Sequence, residues 1–317
     1  MFDPVERRPI GRTSLRVSRL GIGGGSLFSS IGDAAVAALV DHCWERGLRH
    51  FDTAALYAGG VSEERFGTAL ADRPRDEHVL STKAGRTTED GENRFDYTRD
   101  GFLRSIDRSL TRLKRDRLDI VFIHDVTPDL LGDAYDARFA EAMDGAYPAL
   151  AELRSQGVVG AVGVGVGSWQ VCRRFAEAGD FDCMMLAGGY TLLKQDSVPF
   201  LDQCLARGIS VLLAAPFNTG ILATGAVEGA RYQYRPAPPE ILERTRRIEA
   251  VCRRHDVPLP AAALQFPLRH PAVASVVVGH QSAEEVDRNM ALLRREIPDA
   301  FWAELAAEGV AAVQPTP

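Results

Sequence analysis

The residues best placed to do chemistry in this chain are four polar side chains in its N-terminal half. They are Asp52, Tyr57, Lys83 and His124, and they stand at or just beyond the ends of three strand-like apolar runs. A carboxylate, a phenol, an amine and an imidazole have ordinary pKa values from about 4 to about 10, so together they can pass a proton along. The pattern predicts a proton-transfer site, provided that the fold gathers the three run ends.

Each of the four side chains has an expected role. An ammonium beside a phenol favours the phenolate, so we expect Lys83 to lower the pKa of Tyr57. A buried Lys83 needs a carboxylate partner, and Asp52 at the neighbouring run end is placed to be that partner. His124, as a neutral imidazole with one N–H donor, would orient a substrate oxygen. Taken singly, such residues are more often structural, and it is their combination that favours a site.

The elements that must position these side chains are eight short apolar runs, which alternate with amphipathic stretches of helical period. The runs lie near residues 19–23, 48–52, 78–82, 118–123, 159–165, 182–187, 209–214 and 273–278. This alternation predicts an α/β fold, a (β/α)8 TIM barrel that forms a single domain over residues 1–317. In such a barrel all strands end at one mouth, and long loops at 125–142 and 216–239, after the fourth and seventh strands, would cover it.

The composition narrows the class of protein. With 317 residues, 45% of them hydrophobic, and a net charge of −6, the chain suits one barrel and does not resemble a nucleic-acid binder. Five cysteines without a C-x-x-C pair predict neither disulfides nor a thiolate metal site, so a reducing cytoplasm is the expected location. No membrane span and no metal are expected. The expected partner is a small-molecule substrate, and the pattern gives no signal for an oligomer.

Three short motifs carry a family resemblance. Phe51-Asp52-Thr53-Ala54 with Tyr57 after it, Ser81-Thr82-Lys83 and Ile123-His124-Asp125 resemble the aldo-keto reductase superfamily, over about residues 9–289. The resemblance implies a (β/α)8 barrel and NAD(P) as hydride carrier. It also implies a catalytic tetrad of Asp52, Tyr57, Lys83 and His124, in which Tyr57 is the general acid and base.

Further segments narrow the branch within that superfamily. Residues 95–101, 187–193, 216–222 and 261–267 resemble bacterial aldose 1-dehydrogenases of the L-fucose or D-threo-aldose type, with pyridoxal 4-dehydrogenase nearby. This implies oxidation of the anomeric C1 hydroxyl of an aldose to a lactone, with the Tyr57 phenolate taking the proton. The alternatives are pyridoxal oxidation or carbonyl reduction on the same scaffold. A cofactor-sensing or partner-binding subunit is the non-enzyme alternative.

The two substrates would need different partners at the mouth. A sugar should use polar side chains such as Asp96 and Asp125. Pyridoxal should stack on an aromatic ring, for which Phe28, Tyr97 and Phe217 are available.

The same resemblance places the cofactor across the mouth, with its adenosine end after the eighth strand. The expected contacts are Ser168, Phe217, Asn218, Gly220, Leu222, Gly279, Gln281, Glu285, Arg288 and Asn289. Acidic residues near the ribose, among them Glu285, would repel a 2′-phosphate, so NAD is the expected cofactor and NADP the alternative. Arg288 argues for NADP, and Glu285 has a structural explanation in a capping box with Ser282.

Overall fold

Eight parallel strands close into a barrel, which confirms the predicted fold class. The computed structural model describes residues 1–25, 31–89 and 91–311. The barrel strands, numbered β1 to β8 in chain order, are Leu20–Gly23, His50–Asp52, Val79–Ala84, Leu118–His124, Val159–Val166, Cys183–Ala187, Ser210–Ala214 and Val273–Gly279. Successive strands are neighbours, and β8 pairs with β1 to close the sheet. Each bound lies within two residues of the predicted run.

The alternation of side chains along the strands decides which residues reach the barrel interior. In β4, Ile120 and Phe122 belong to the apolar group inside the barrel, whereas Val121 and Ile123 pack outward against the helices. Because side chains alternate with a period of two, the next inward position of β4 is His124, at the strand end. The same period continues from Val79 inside β3 to Ser81 and Lys83.

The outer layer consists of helices that bury one apolar face against the barrel. The α-helices span Asp33–Glu45, Val61–Ala69, Arg99–Leu113, Pro128–Leu131, Tyr135–Glu141, Tyr147–Ser155, Trp169–Ala178, Val198–Ala206, Ile221–Thr224, Pro239–Arg254, Leu259–Leu268, Ala283–Arg294 and Asp299–Ala307. In the helix Arg99–Leu113, for example, Phe102, Ile106 and Leu113 are buried while the other face is charged.

The two connections predicted as long loops are long, but both contain secondary structure. After β4, residues 128–141 are almost entirely helical, so the expected loop at 125–142 is wrong in its conformation. After β7, the segment 216–239 contains the short helix Ile221–Thr224 and an antiparallel pairing of Arg231–Tyr232 with Arg235–Pro236.

Two hairpins complete the barrel at its opposite ends. Arg86–Glu89 and Glu92–Phe95 form an antiparallel hairpin directly after β3, on the side of the predicted site. An N-terminal hairpin pairs Arg7–Pro9 with Arg16–Ser18. Ile10, directly after its first strand, and Val17, within its second strand, are buried and pack with the apolar interior of the barrel. The N-terminal hairpin therefore closes the end away from the predicted site.

Candidate active site

The ends of β2 and β3 hold a buried ion pair. Lys83 Nζ lies 2.6 Å from Asp52 Oδ2 and also donates to the carbonyl oxygen of Thr53 at 2.7 Å. The other carboxylate oxygen of Asp52 accepts a hydrogen bond of 2.6 Å from Ser81 Oγ. Since both oxygens of Asp52 and two bonds of the ammonium are used, the geometry offsets part of the cost of burying the charges.

Tyr57 reaches this pair from a tight turn after β2. The turn Tyr57–Gly60 has left-handed backbone at Ala58, with φ 50°, and at the two glycines that follow. The Lys83 ammonium lies 4.7 Å from the centre of the Tyr57 ring. The Tyr57 ring stands nearly perpendicular to that of His124, with the ring centres 6.1 Å apart. The structure thus brings together the four side chains predicted from the sequence.

The net shift in the pKa of Tyr57 is opposite to the effect expected from Lys83 alone. Burial raises the pKa of Tyr57 above its ordinary value, and the charge and hydrogen bonding of Lys83 oppose that rise without reversing it. Burial also works against the ammonium of Lys83, but the Asp52 carboxylate and Tyr57 raise its pKa above the ordinary value. Lys83 therefore stays charged and acts on the pKa of Tyr57 in the predicted direction, downward, but burial outweighs it and the net pKa is raised.

His124 is a neutral imidazole at physiological pH. Burial, with the charges of Lys83 and Arg86, lowers its pKa to about 4 against the opposing effect of Asp125. Its Nδ1 is buried without a hydrogen-bond partner, and its Nε2 lies 3.4 Å from Asp125 Oδ2. An unpaired lone pair is cheaper to bury than an unpaired N–H, so the proton belongs on Nε2. The backbone carbonyl of His124 accepts from the hydroxyl of Tyr97 at 2.7 Å, which fixes the strand end.

A cavity of about 570 Å³ opens beside Asp52 and Tyr57. It extends to the helix Ala283–Arg294, whose N-terminal end is a favourable place for phosphate groups. Six of the ten residues predicted to contact the cofactor lie on its wall, namely Phe217, Gly220, Gly279, Glu285, Arg288 and Asn289. The wall also contains Thr219, Tyr234, Pro260 and Leu292, which the sequence did not single out. This shape and lining fit an extended dinucleotide.

The remaining four predicted contacts are not on the wall of this cavity. Ser168 caps the helix Trp169–Ala178 by accepting from the backbone of Val171, and Leu222 is fully buried. Asn218 is buried, has φ 47°, and donates to the carbonyl of Gly188 at 3.3 Å, while its own Oδ1 has no partner. Gln281 is exposed, and its backbone N–H donates to Glu285 Oε2 at 2.8 Å.

The acidic residues after β8 divide into two groups. Glu285 lies on the cavity wall and also takes part in capping its helix: Ser282 Oγ accepts from its backbone N–H at 3.3 Å, and its Oε2 accepts from the backbone N–H of Gln281 at 2.8 Å. Asp287 instead pairs with His42 and Arg46 on the surface, so it takes no part in the cavity. Arg288 also lies on the wall and has no ion-pair partner among residues 1–25, 31–89 and 91–311.

The expected substrate contacts are sorted by the structure as well. The carboxylate of Asp96 already accepts a hydrogen bond from the hydroxyl of Thr98 and forms an ion pair with Arg104. The ring of Tyr97 is fully buried. Phe28 lies outside the described residues. Asp125 lies beside His124, and Phe217 lines the cavity, so one polar and one aromatic candidate remain.

Sequence reasoning missed the polar residues that support the tetrad. Ser81 holds Asp52, and its hydroxyl also lies 3.5 Å from Nε2 of the fully buried His50. A usable signal was present, because Ser81 stands two residues before Lys83 and His50 two residues before Asp52. Side chains at that spacing share one face of a strand.

The described part of the chain contains no group of three or more histidine, cysteine or carboxylate residues placed to hold a metal ion. The five cysteines are buried free thiols. Among the helices that the structure describes, none has both the length and the apolar character needed to cross a bilayer.

Comparison with known proteins agrees with this geometry. The chain is 37% identical to pyridoxal 4-dehydrogenase from Microbacterium luteolum, over 96% of this chain and 98% of that protein. It is 38% identical to D-threo-aldose 1-dehydrogenase from a Pseudomonas species, over 96% of each. The holo form of an aldo-keto reductase from Bacillus halodurans superposes with a TM-score of 0.79 at 25% identity, covering 98% of this chain and 97% of that one. The Aldo/keto reductase family model matches residues 19–308, and the chain therefore belongs to the aldo/keto reductase family.

Proposed function

We propose that this protein is an NAD(P)-dependent dehydrogenase that oxidises the anomeric C1 hydroxyl of an aldose to a lactone. The observation that carries the proposal is the convergence of Tyr57, Lys83 and His124 beside a cavity that suits a dinucleotide. The relative named D-threo-aldose 1-dehydrogenase supports the substrate class.

In this proposal the chain moves one proton and positions one oxygen. The N–H at His124 Nε2 donates to the C1 oxygen, and Tyr57 as phenolate takes the proton of the C1 hydroxyl. Lys83 stabilises the phenolate by charge, and Asp52 keeps Lys83 in place. The C1–H bond breaks with both electrons leaving as hydride while the C1–O bond becomes a carbonyl. A bound nicotinamide supplies the acceptor for that hydride.

We propose that the residues on the cavity wall hold this cofactor, with Phe217 and Gly220 nearer its nicotinamide end and Glu285 and Arg288 nearer its adenosine. NAD is the preferred form, because the Glu285 carboxylate disfavours a 2′-phosphate at that end. The guanidinium of Arg288, which has no ion-pair partner within the described ranges, is the feature that favours NADP. Catalytic efficiency with the two cofactors decides between them, and a clear advantage of NADP would overturn the preference.

A substrate screen tests the proposal directly. We expect reduction of NAD with at least one of L-fucose, D-arabinose and L-galactose, and pyridoxal is included as the competing substrate. No turnover of any sugar with either cofactor would reject the aldose assignment.

Replacement of the phenol separates an enzyme from a binding protein. Tyr57→Phe removes the group that exchanges the proton, so turnover should fall by about a hundredfold or more while the cofactor still binds. Tyr135→Phe, on a helix after β4, is the matched control and should keep wild-type turnover. If Tyr57→Phe retained the full activity of the protein, a cofactor-sensing or partner-binding role would replace the proposal.

Pyridoxal oxidation is the second candidate, and two observations favour it. The chain is as similar to a pyridoxal 4-dehydrogenase as to the aldose enzyme, and the ring of Phe217 on the cavity wall offers a stacking surface. The chemistry is also related, because pyridoxal, like an aldose, closes into a cyclic hemiacetal. The same proton acceptor would then serve either substrate.

A further inference from the structure

We propose that Asp125, held by Arg86, accepts a hydrogen bond from a substrate hydroxyl on the carbon next to the reacting carbon. This inference rests on the proposed oxidation of a sugar-like substrate and adds the group by which that substrate is recognised. It makes the substrate a 2-hydroxy aldose, in preference to a simple aldehyde or a 2-deoxy sugar.

The position of Asp125 is fixed by the backbone. It follows His124 directly, its N–H donates to the carbonyl of Gly165 at 3.1 Å, and its φ is 56°. Left-handed backbone is uncommon outside glycine, and aspartate and asparagine are among the residues that tolerate it best. The carboxylate is therefore held beside the catalytic imidazole by more than side-chain contacts.

Arg86 fixes the orientation of the carboxylate. Its NH1 donates to Asp125 Oδ2 at 2.5 Å, while its Nε and NH2 donate to Asn93 on the opposite strand of the hairpin after β3. The hairpin thereby holds the guanidinium, and the guanidinium holds the aspartate.

One oxygen of Asp125 is left unused. Both the Arg86 contact and the 3.4 Å approach of His124 Nε2 go to Oδ2, and within the described ranges Oδ1 has no hydrogen-bond partner. The side chain is 20% exposed, so a ligand can reach it. The aspartate is thus a fixed, charged acceptor with one free oxygen.

A second ion pair in the same barrel shows what a purely structural arrangement looks like. Near the start of β4, Arg75 contacts both oxygens of Asp119, at 2.8 and 2.9 Å, and the backbone N–H of Leu80 adds a third bond. That carboxylate is saturated and buried. Asp125 differs in its free oxygen, in its exposure and in its place next to His124.

The geometry selects which substrate hydroxyl can bind there. The oxygen that undergoes reaction binds at His124 Nε2, which is 3.4 Å from the Asp125 carboxylate. Oxygens on adjacent carbons lie about one hydrogen-bond length apart, so the hydroxyl on the next carbon falls within reach of Asp125. An aldose has that hydroxyl at C2. Pyridoxal has none on the carbon bonded to its reacting carbon.

The inference is tested by changing residue 125 and the C2 hydroxyl of the sugar separately and together, and comparing kcat/KM. D-arabinose and 2-deoxy-D-ribose differ only in the C2 hydroxyl, and L-fucose with 2-deoxy-L-fucose forms a second such pair. Because hydrogen bonds to charged groups are the stronger ones, the wild type should prefer the hydroxylated sugar in kcat/KM by about tenfold to a hundredfold. Asp125→Asn should reduce that preference to about threefold or less, mainly by losing efficiency with the hydroxylated sugar.

Asparagine is the sharpest replacement at this position. It tolerates left-handed backbone, and contact with Arg86 keeps its carbonyl oxygen at the place of Oδ2, so an amide N–H₂ replaces the free acceptor. Asp129→Asn makes the same change of charge at an exposed position four residues further along and should keep the wild-type preference. Thermal unfolding of both variants checks that the fold is retained.

The outcomes are distinct. An equal loss on both sugars in Asp125→Asn, or an unchanged preference, would overturn the inference while leaving the aldose assignment intact. A wild type that oxidises no sugar at all would reject the proposed function, and this inference with it.

Discussion

At the scale of single residues, two opposing effects act on the phenol of Tyr57, the acid and base of the proposed mechanism. Burial raises the pKa of Tyr57, and the ammonium of Lys83 counteracts that rise. Oxidation needs the phenolate, whereas the reverse reduction needs the phenol. In the proposed mechanism the same tyrosine would therefore give the two directions opposite pH dependence.

We predict that the oxidation rate rises with pH through the alkaline range and that the reduction rate falls over the same range. Lys83→Met removes the charge that favours the phenolate, so the rising limb for oxidation should move to higher pH and turnover near neutrality should fall by about a hundredfold or more. Lys114→Met, at an exposed lysine, is the control. Profiles of kcat against pH measure the effect, and a limb that stays in place in Lys83→Met would remove Lys83 from this role.

At the scale of secondary-structure elements, the helix after β8 combines two functions in its first turn. The Glu285 carboxylate accepts from the backbone N–H of Gln281 at the start of the helix and lies on the cavity wall, while Glu284 beside it is exposed. The structural and the electrostatic explanations of Glu285 both apply, and they can be separated because a glutamine keeps the hydrogen-bond acceptor without the charge.

We predict that Glu285→Gln shifts cofactor preference toward NADP by about two- to fivefold in kcat/KM, as expected for the loss of one partly exposed charge. Thermal stability should change little, since the amide oxygen still accepts from Gln281. Glu284→Gln is the matched control. If both variants showed the same preference as the wild type, the carboxylate of Glu285 would have no part in cofactor selection.

How much of this arrangement the sequence could predict depends on the element. The strand ends were predictable, because strands buried on both faces are largely apolar runs, and the run ends where polar residues begin. The hairpin 86–95 was not, because its strands are polar and carry no apolar alternation. The helices at 128–141 were not predictable either, since Gly132 divides the segment into short pieces.

Pairings across the fold were also beyond the sequence. Asp287, in the acidic segment after β8, pairs with His42 and Arg46, which are more than 240 positions away in the sequence. The family and the barrel are confirmed, whereas the roles of the site residues, the single domain over 1–317 and the cytoplasmic location remain predictions.

At the scale of the whole molecule, several histidines are buried in the neutral form. Burial lowers the pKa of His50 to about 3 and those of His78, His124 and His280 to about 4. In the unfolded chain these groups titrate near their ordinary value of about 6.5. Below that pH the unfolded state binds more protons than the folded state. The contribution of these histidines to the free energy of unfolding is therefore fully present near neutrality and is lost as the pH falls.

We predict that the free energy of unfolding decreases between pH 7 and pH 5, by up to about 2 kcal/mol for each such histidine. Urea unfolding at the two pH values measures it. His280→Gln should make the difference smaller, because it removes one buried titrating ring. An unchanged difference between the two pH values in His280→Gln would contradict the explanation.

The N-terminal hairpin that packs Ile10 and Val17 into the lower end of the barrel has a kinetic consequence. Because the packed interior and this hairpin close that end, substrate and cofactor would both enter and leave by the mouth of the barrel. The one that binds deeper beside Tyr57 would then bind first and dissociate last. The rate of a complete catalytic cycle would depend on how quickly this molecule dissociates.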